Sequence, residues 1–379
     1  MRVLICPDKF AGTLTAAEAA AAIETGWRRG APDDELVRRP LADGGPGFLA
    51  VLASALDGRL VPVPTVDPCG RPVRAEILLV GDTAFLESAQ AIGLHLVRPT
   101  EADPRTTSSY GLGVLMVAAV EAGARQVVIG LGGSATNDGG AGALAALGAA
   151  PLDDAGYALP YGPMALLGVA GLGGVPRLRG AALVGAVDVD NPLTGPMGAS
   201  AVYGPQKGAD PATVTVLDAA LHRWGQVLGE LPGAPPRLAE QPGAGAAGGI
   251  GAAILALGGR LESGAAMVSR LTGLDSQLDW ADLVVVGEGS LDGQSARGKV
   301  VAAVAAAAHA RGKPCLALAG QVLMSGADLA ILGVTSAFSL VDQCGSVEQA
   351  LAEPAMVLAD LAQTVASRWA GVGNAAGAG

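Results

Sequence analysis

The chain has 379 residues, half of them apolar, 3% aromatic and 16% charged, with a formal net charge of −11. That length and apolar content suit two or three domains of ~100–200 residues each. The acidic balance argues against nucleic acid, whose binding needs clustered Lys and Arg on phosphates, and no apolar run reaches the ~18 residues of a membrane span.

The first element is a strand at 3–6, with no charged and apolar leader pattern before it, so a cytoplasmic protein is expected. A helix at 16–29 opens on the capping-box pattern Thr15-Ala-Ala-Glu18. Pro-rich hairpin material with a strand at 75–80 comes next, then a helix at 113–122, a strand at 127–131 and a helix at 140–147. The later elements are a strand at 182–187, a helix at 212–228, strands at 283–286 and 315–319 around a helix at 296–310, and a last helix at 355–369 just after Pro354. The strand runs are continuously apolar, as parallel strands covered on both faces require.

This rhythm predicts an α/β fold of two α/β domains, the larger with a mostly parallel, Rossmann-like sheet. Segments 59–99 and 191–274 break the rhythm. They are assigned to a smaller domain inserted into a larger one of 1–58, 100–190 and 275–370, with 371–379 a disordered tail. Cys6, Cys69, Cys315 and Cys344 lie far apart with no C-x-x-C pair, which suggests free thiols.

The 57 glycines cluster in short loops, as expected where backbone is approached closely by ligand or by other backbone. The densest loop, Gly130-Leu-Gly-Gly-Ser-Ala-Thr-Asn-Asp-Gly-Gly140, leaves a buried strand and opens a helix. Its N–H groups and helix dipole suit an anion, Ser134, Thr136 and Asn137 add donors, and Asp138 could hold a cation, a ribose hydroxyl or the helix cap. Two better-known motifs fail on context. Gly243-Ala-Gly-Ala-Ala-Gly248 fits a dinucleotide fingerprint but follows no strand. Gly293-Gln-Ser-Ala-Arg-Gly-Lys299 fits most of a P-loop but has Val300 where Ser or Thr belongs. Carboxylates gather after strands: Asp8, Asp188, Asp190, Glu288 and Asp292, with Asp43 before Gly44-Gly45. Ligands of open α/β sheets bind at strand carboxyl ends, where such groups can position Mg2+ or accept a proton. His95, His222 and His309 have no partners at ligand spacing.

Taken in order, Pro7-Asp8-Lys9-Phe10, Ala42-Asp43-Gly44-Gly45, Glu87-Ser88-Ala89-Gln90, Ser108-Ser109-Tyr110-Gly111, the Gly130–Gly140 loop, Asp188-Val189-Asp190-Asn191-Pro192, Gly204-Pro205-Gln206-Lys207-Gly208, the Gly243 segment and Gly287-Glu288-Gly289 through Asp292 resemble the glycerate kinase family. The resemblance covers nearly the whole chain. It implies ATP-dependent phosphorylation of D-glycerate to 2-phosphoglycerate by two α/β domains with the active site in the cleft between them. An NAD-dependent oxidoreductase and a catalytically altered sugar-acid binding protein are the alternatives. Two departures stand out: Ala11 where the family commonly has Lys, and Pro46 where it commonly has Glu.

Phosphoryl transfer needs positioning, charge neutralisation and a proton acceptor. The roles assigned on that footing are Asp190 as base, Asp188 or Asp43 for Mg2+, and Lys207 or Lys9 for the transferring charge. The substrate and phosphate contacts are Asp8, Asp43, Gly44, Gly45, Ser108, Ser109, Gly132, Gly133, Ser134, Thr136, Asn137, Asp138, Glu288 and Asp292. The partners expected are glycerate and ATP, with no nucleic acid and no membrane; a homodimer is compatible with the sequence.

Overall fold

Thirteen strands can be followed in the computed structural model, which describes residues 1–10, 12–293 and 300–376. In chain order they are β1 (Arg2–Pro7), β2 (Glu35–Arg38), β3 (Arg59–Val66), β4 (Pro72–Val80), β5 (Thr83–Glu87), β6 (Gln126–Gly130), β7 (Ala150–Leu152), β8 (Gly171–Gly173), β9 (Ala182–Ala186), β10 (Arg260–Glu262), β11 (Leu283–Leu291), β12 (Cys315–Val322) and β13 (Ser336–Ser339). The architecture is α/β and mostly parallel, in two compact units, Met1–Ala42 with Ala265–Gly379 and Asp43–Gly264.

The first unit holds a five-stranded sheet in the order β13-β12-β11-β1-β2, every pairing parallel. Val3–Cys6 and Leu283–Val286 are wholly buried, which is why they lack any polar alternation. The helix Ala16–Gly30 starts on the expected capping box: the Thr15 hydroxyl accepts from the Glu18 N–H, and Glu18 accepts from the Thr15 N–H. It buries Ile23 and Trp27, and the Trp27 indole donates to Asp34 at 2.9 Å. The last helix, Pro354–Ala376, packs Leu358, Leu361 and Val365 into the same core. It extends past the expected tail boundary at 371, and 377–379 lie outside the described residues. Cys6 and Cys315 are buried free thiols in this sheet; burial raises both pKa values, that of Cys315 to about 12.

The second unit holds a six-stranded sheet in the order β10-β9-β6-β5-β4-β3. From β10 to β5 the pairing is parallel; β4 and β3 continue it antiparallel. Pro62 and Pro64 fall in β3, an edge strand, where a missing N–H breaks no ladder. The sequence rhythm separated 59–99 from 100–190, but β5 pairs directly with β6, and β6 with β9, so the two segments share one sheet. A hairpin that extends a parallel sheet looks in sequence like a separate β unit. The three adjacent parallel strands β5, β6 and β9 all end on one side, where the Gly-rich loop lies. Among the described residues no helix is long and apolar enough to cross a membrane.

Candidate active site

The loop leaving β6 is held on several sides. Ala135 N–H donates to Ile92 O and Leu94 N–H to Gly133 O, tying it to the segment after β5. Gly132 N–H donates to Gly44 O, and a Cβ on Gly132 would collide with Gly45 Cα, so the Asp43-Gly44-Gly45 turn lies directly on the loop. Asp43 Oδ1 closes that turn by accepting from Gly45 N–H at 3.0 Å. Glu87, at the end of β5, accepts from the N–H groups of Gly47 and Leu49 and so anchors the helix Phe48–Ala55.

Asp138 is wholly buried. Its Oδ2 accepts from the Ser109 N–H and hydroxyl, both at 2.8 Å, and from Gly142 N–H at 3.2 Å; its Oδ1 accepts from Gly140 N–H at 3.2 Å. The Ser109 hydroxyl in turn accepts from Ala143 N–H. Asp138 and Ser109 thus tie the starts of the helices Tyr110–Glu121 and Ala141–Ala146 together. Burial raises the Asp138 pKa, and its four hydrogen bonds pull it back. These bonds link Asp138 to the loops that open both helices.

Lys207 is the unusual group. It is 3% exposed, and its Nζ donates to Thr136 O at 2.6 Å and to the Ser134 hydroxyl at 3.3 Å. Among the described residues it has no ion-pair partner. Burial lowers its pKa to about 8, against a pull upward from the charge of Asp138. On the loop it bonds, Thr136 Oγ1 and Asn137 Oδ1 are buried without hydrogen-bond partners among the described residues, as is Ser88 Oγ at the end of β5. The Asn137 amide Nδ2 donates to the Ser200 hydroxyl at 2.9 Å. A buried cation with no ion-pair contact, bonded to a loop that carries unsatisfied buried polar atoms, suits an anion.

The Gly243–Gly248 segment closes this loop from behind. Ala247, Gly248 and Gly249 are all left-handed, and a Cβ on Gly248 would overlap Thr136 O. Gly139 N–H donates to Gly248 O, and the Trp224 indole donates to Gly139 O. These glycines serve backbone packing, so the fingerprint-like spacing has a structural cause and no dinucleotide is needed to explain it.

After β9, Asp188 accepts from the Ser263 hydroxyl at 2.6 Å, and a Cβ on the following Gly264 would lie 2.5 Å from Asp43 O. Asp43 and Asp188 therefore flank the same short stretch. Among the described residues, no group of three or more His, Cys, Asp and Glu is placed to hold a metal ion. Asp190 is exposed. Its charge, after burial, raises the pKa of Tyr203, at the end of the helix Ala199–Tyr203 that carries Ser200. The structure thus gathers Asp43, Gly44, Gly45, Ser108, Ser109, Gly132, Gly133, Ser134, Thr136, Asn137, Asp138, Asp188, Asp190 and Lys207 in the Asp43–Gly264 unit.

Asp8, Lys9, Glu288 and Asp292 belong to the other unit. There Asp8 N–H donates to Gly287 O, bringing Asp8 to the Glu288 strand, and Lys9 Nζ lies 3.7 Å from Asp8 Oδ1. Ala11 and 294–299, including Lys299, lie outside the described residues. The sequence pattern does not single out Ser200, which bonds Asn137, or Ser88, whose hydroxyl has no hydrogen-bond partner among the described residues. Ser200 sits in a run of small residues with no motif, whereas Ser88 follows the acidic strand end Glu87.

A mostly parallel sheet whose β6 end carries a glycine loop bonded by a buried lysine is the frame of an α/β enzyme. The chain belongs to the glycerate kinase family, whose family model matches residues 3–370, and it is accordingly a kinase. It is 40% identical over 373 residues to the glycerate kinase of Haemophilus influenzae, covering 97% of this chain and 98% of that one. It is 39% identical over 358 residues to the glycerate 2-kinase of Escherichia coli K12, covering 92% and 93%. A solved structure from Salmonella typhimurium LT2, provisionally named glycerate kinase 2, superposes with a TM-score of 0.80 at 38% identity, covering 99% of both chains.

Proposed function

We propose that the chain transfers the γ-phosphoryl group of ATP to the 2-hydroxyl of D-glycerate, yielding 2-phosphoglycerate and ADP in the cytoplasm. Lys207 is the observation that carries this reading. A buried lysine bonded only to a carbonyl and a hydroxyl keeps its charge for an incoming anion, and glycerate brings a carboxylate. The Gly132–Gly140 loop with Ser134 lines the same place.

In the reaction the glycerate oxygen bonds to the γ-phosphorus as the bond to the β,γ-bridging oxygen breaks. The hydroxyl proton passes to Asp190, which is exposed and returns it to water. Lys207 offsets negative charge in a water-poor setting, where such an interaction is strong. Mg2+ is usually held by one or two carboxylates together with substrate phosphates, and Asp43 and Asp188 fit that need. When bound, the ion would spread the charge of the phosphoryl oxygens.

The deciding measurement is coupled ADP release across glycerate, tartronate and other hydroxy acids, with the phosphate position read by 31P NMR. Glycerate-dependent ADP release with phosphate on the 2-oxygen is expected. Absence of glycerate-dependent turnover, or phosphate on the 3-oxygen, would sink the proposal.

A further inference from the structure

Thr136, whose carbonyl oxygen accepts from the Lys207 ammonium at 2.6 Å, and the adjacent Asn137 are 0% exposed, yet among the described residues Asn137 Oδ1 and Thr136 Oγ1 have no hydrogen-bond partner. The Asn137 amide does not rotate freely, because Nδ2 donates to Ser200 Oγ at 2.9 Å and Ser200 is also 0% exposed. With Nδ2 so engaged, the atom left over is the carbonyl oxygen, a pure acceptor. An acceptor does not suit a carboxylate or a phosphate; it suits an O–H. Lys207, all donor, suits the carboxylate. A cation bonded to the Thr136 carbonyl and an oriented acceptor on the next residue match the two ends of a hydroxy acid.

Resting on the glycerate kinase reading of this site, we infer that Asn137 reads a hydroxyl of the substrate through Oδ1, and that Ser200 is the positioning residue that turns this oxygen toward it. Shielding from water makes the contact discriminating. A substrate lacking the hydroxyl leaves a buried acceptor unmet, a loss that water cannot repair.

The test compares D-glycerate with D-lactate and 3-hydroxypropanoate, which each lack one hydroxyl, and with propanoate, which lacks both. Calorimetry gives the affinities for wild type, Asn137→Ala and Ser200→Ala, and thermal unfolding checks that each variant is folded. Wild type is expected to prefer glycerate over one of the monohydroxy acids by about tenfold or more. Asn137→Ala should bring that ratio close to one, and Ser200→Ala should lower it part way. Propanoate affinity, which depends on Lys207, should stay the same in all three. A merely structural Ser200 would shift the melting temperature and leave the ratio alone. If Asn137→Ala does not fold, Ser200→Ala decides. Folded variants with the wild-type ratio would overturn this inference alone; wild type that binds no glycerate would overturn the parent reading with it.

Discussion

Replacing Lys207 by Met separates a lysine kept for function from one kept for stability. A free lysine titrates near ~10.4, whereas burial brings Lys207 to about 8. That gap corresponds to about 3 kcal/mol against the folded state while the group is charged. On the other side stand two hydrogen bonds, to Thr136 O and the Ser134 hydroxyl, together worth about 3 kcal/mol when the donor is charged. Lys207→Met should therefore stay within about 1–2 kcal/mol of wild type at pH 7, in keeping with apolar replacement of buried charges. Below pH 8 both folded and unfolded wild type carry the proton, so the full burial cost applies. Between about 8 and ~10.4 the folded state has released it while the unfolded chain retains it, so stability rises with pH. Urea unfolding at pH 7 and near pH 10 should show wild type gaining up to about 3 kcal/mol on the variant. Glycerate kcat/KM should fall at least ~100-fold in the variant, and in wild type it should decline as pH rises past 8, since kcat/KM reports the free enzyme. Parallel stability profiles, or a variant within about tenfold of wild-type kcat/KM, would refute the account.

Asp190→Asn removes the proposed base from an exposed position; kcat should drop by ~100-fold or more with an unchanged melting temperature, and near-normal turnover would take Asp190 out of the mechanism. Asp138→Asn turns an amide NH2 toward N–H groups that have only protons to offer, so urea unfolding should show a loss of about 2–4 kcal/mol; an unchanged midpoint would contradict its bridging role. Gly248→Ala forces a Cβ onto Thr136 O at φ +70°, which should cost at least ~2 kcal/mol and lower glycerate affinity by displacing the loop that Lys207 bonds; a silent substitution would show that the loop is looser than described.

The strands and helices of both units were legible because burial on two faces leaves continuous apolar runs. Val3–Cys6, Leu283–Val286 and the capping box at Thr15 and Glu18 needed no tertiary information. The partition into units was not legible. It depends on which edge accepts the β3–β4 hairpin, and that is settled by pairing with β5, far from any local pattern. The site was half legible: the loop after β6 stood out by composition, and the ordered motifs supplied Lys207. The bonds of Asp138 to Ser109, of Asn137 to Ser200 and of Lys207 to Ser134 join residues 29 to 73 apart, which spacing cannot encode.

The glycines bring out a distinction that composition blurs. A glycine loop suggests backbone bared for a ligand, yet Gly132 is approached by Gly45, and Gly248 by Thr136. The missing side chains let three backbone segments stack closely enough to seal Lys207 from water, and that sealing is what lets one ammonium act strongly on a highly acidic chain. Pro46 belongs to the same packing: its ring would lie 2.9 Å from a Cβ on Gly133. Pro46 is thus a rigid apolar wedge against the loop whose Ser134 hydroxyl accepts from Lys207.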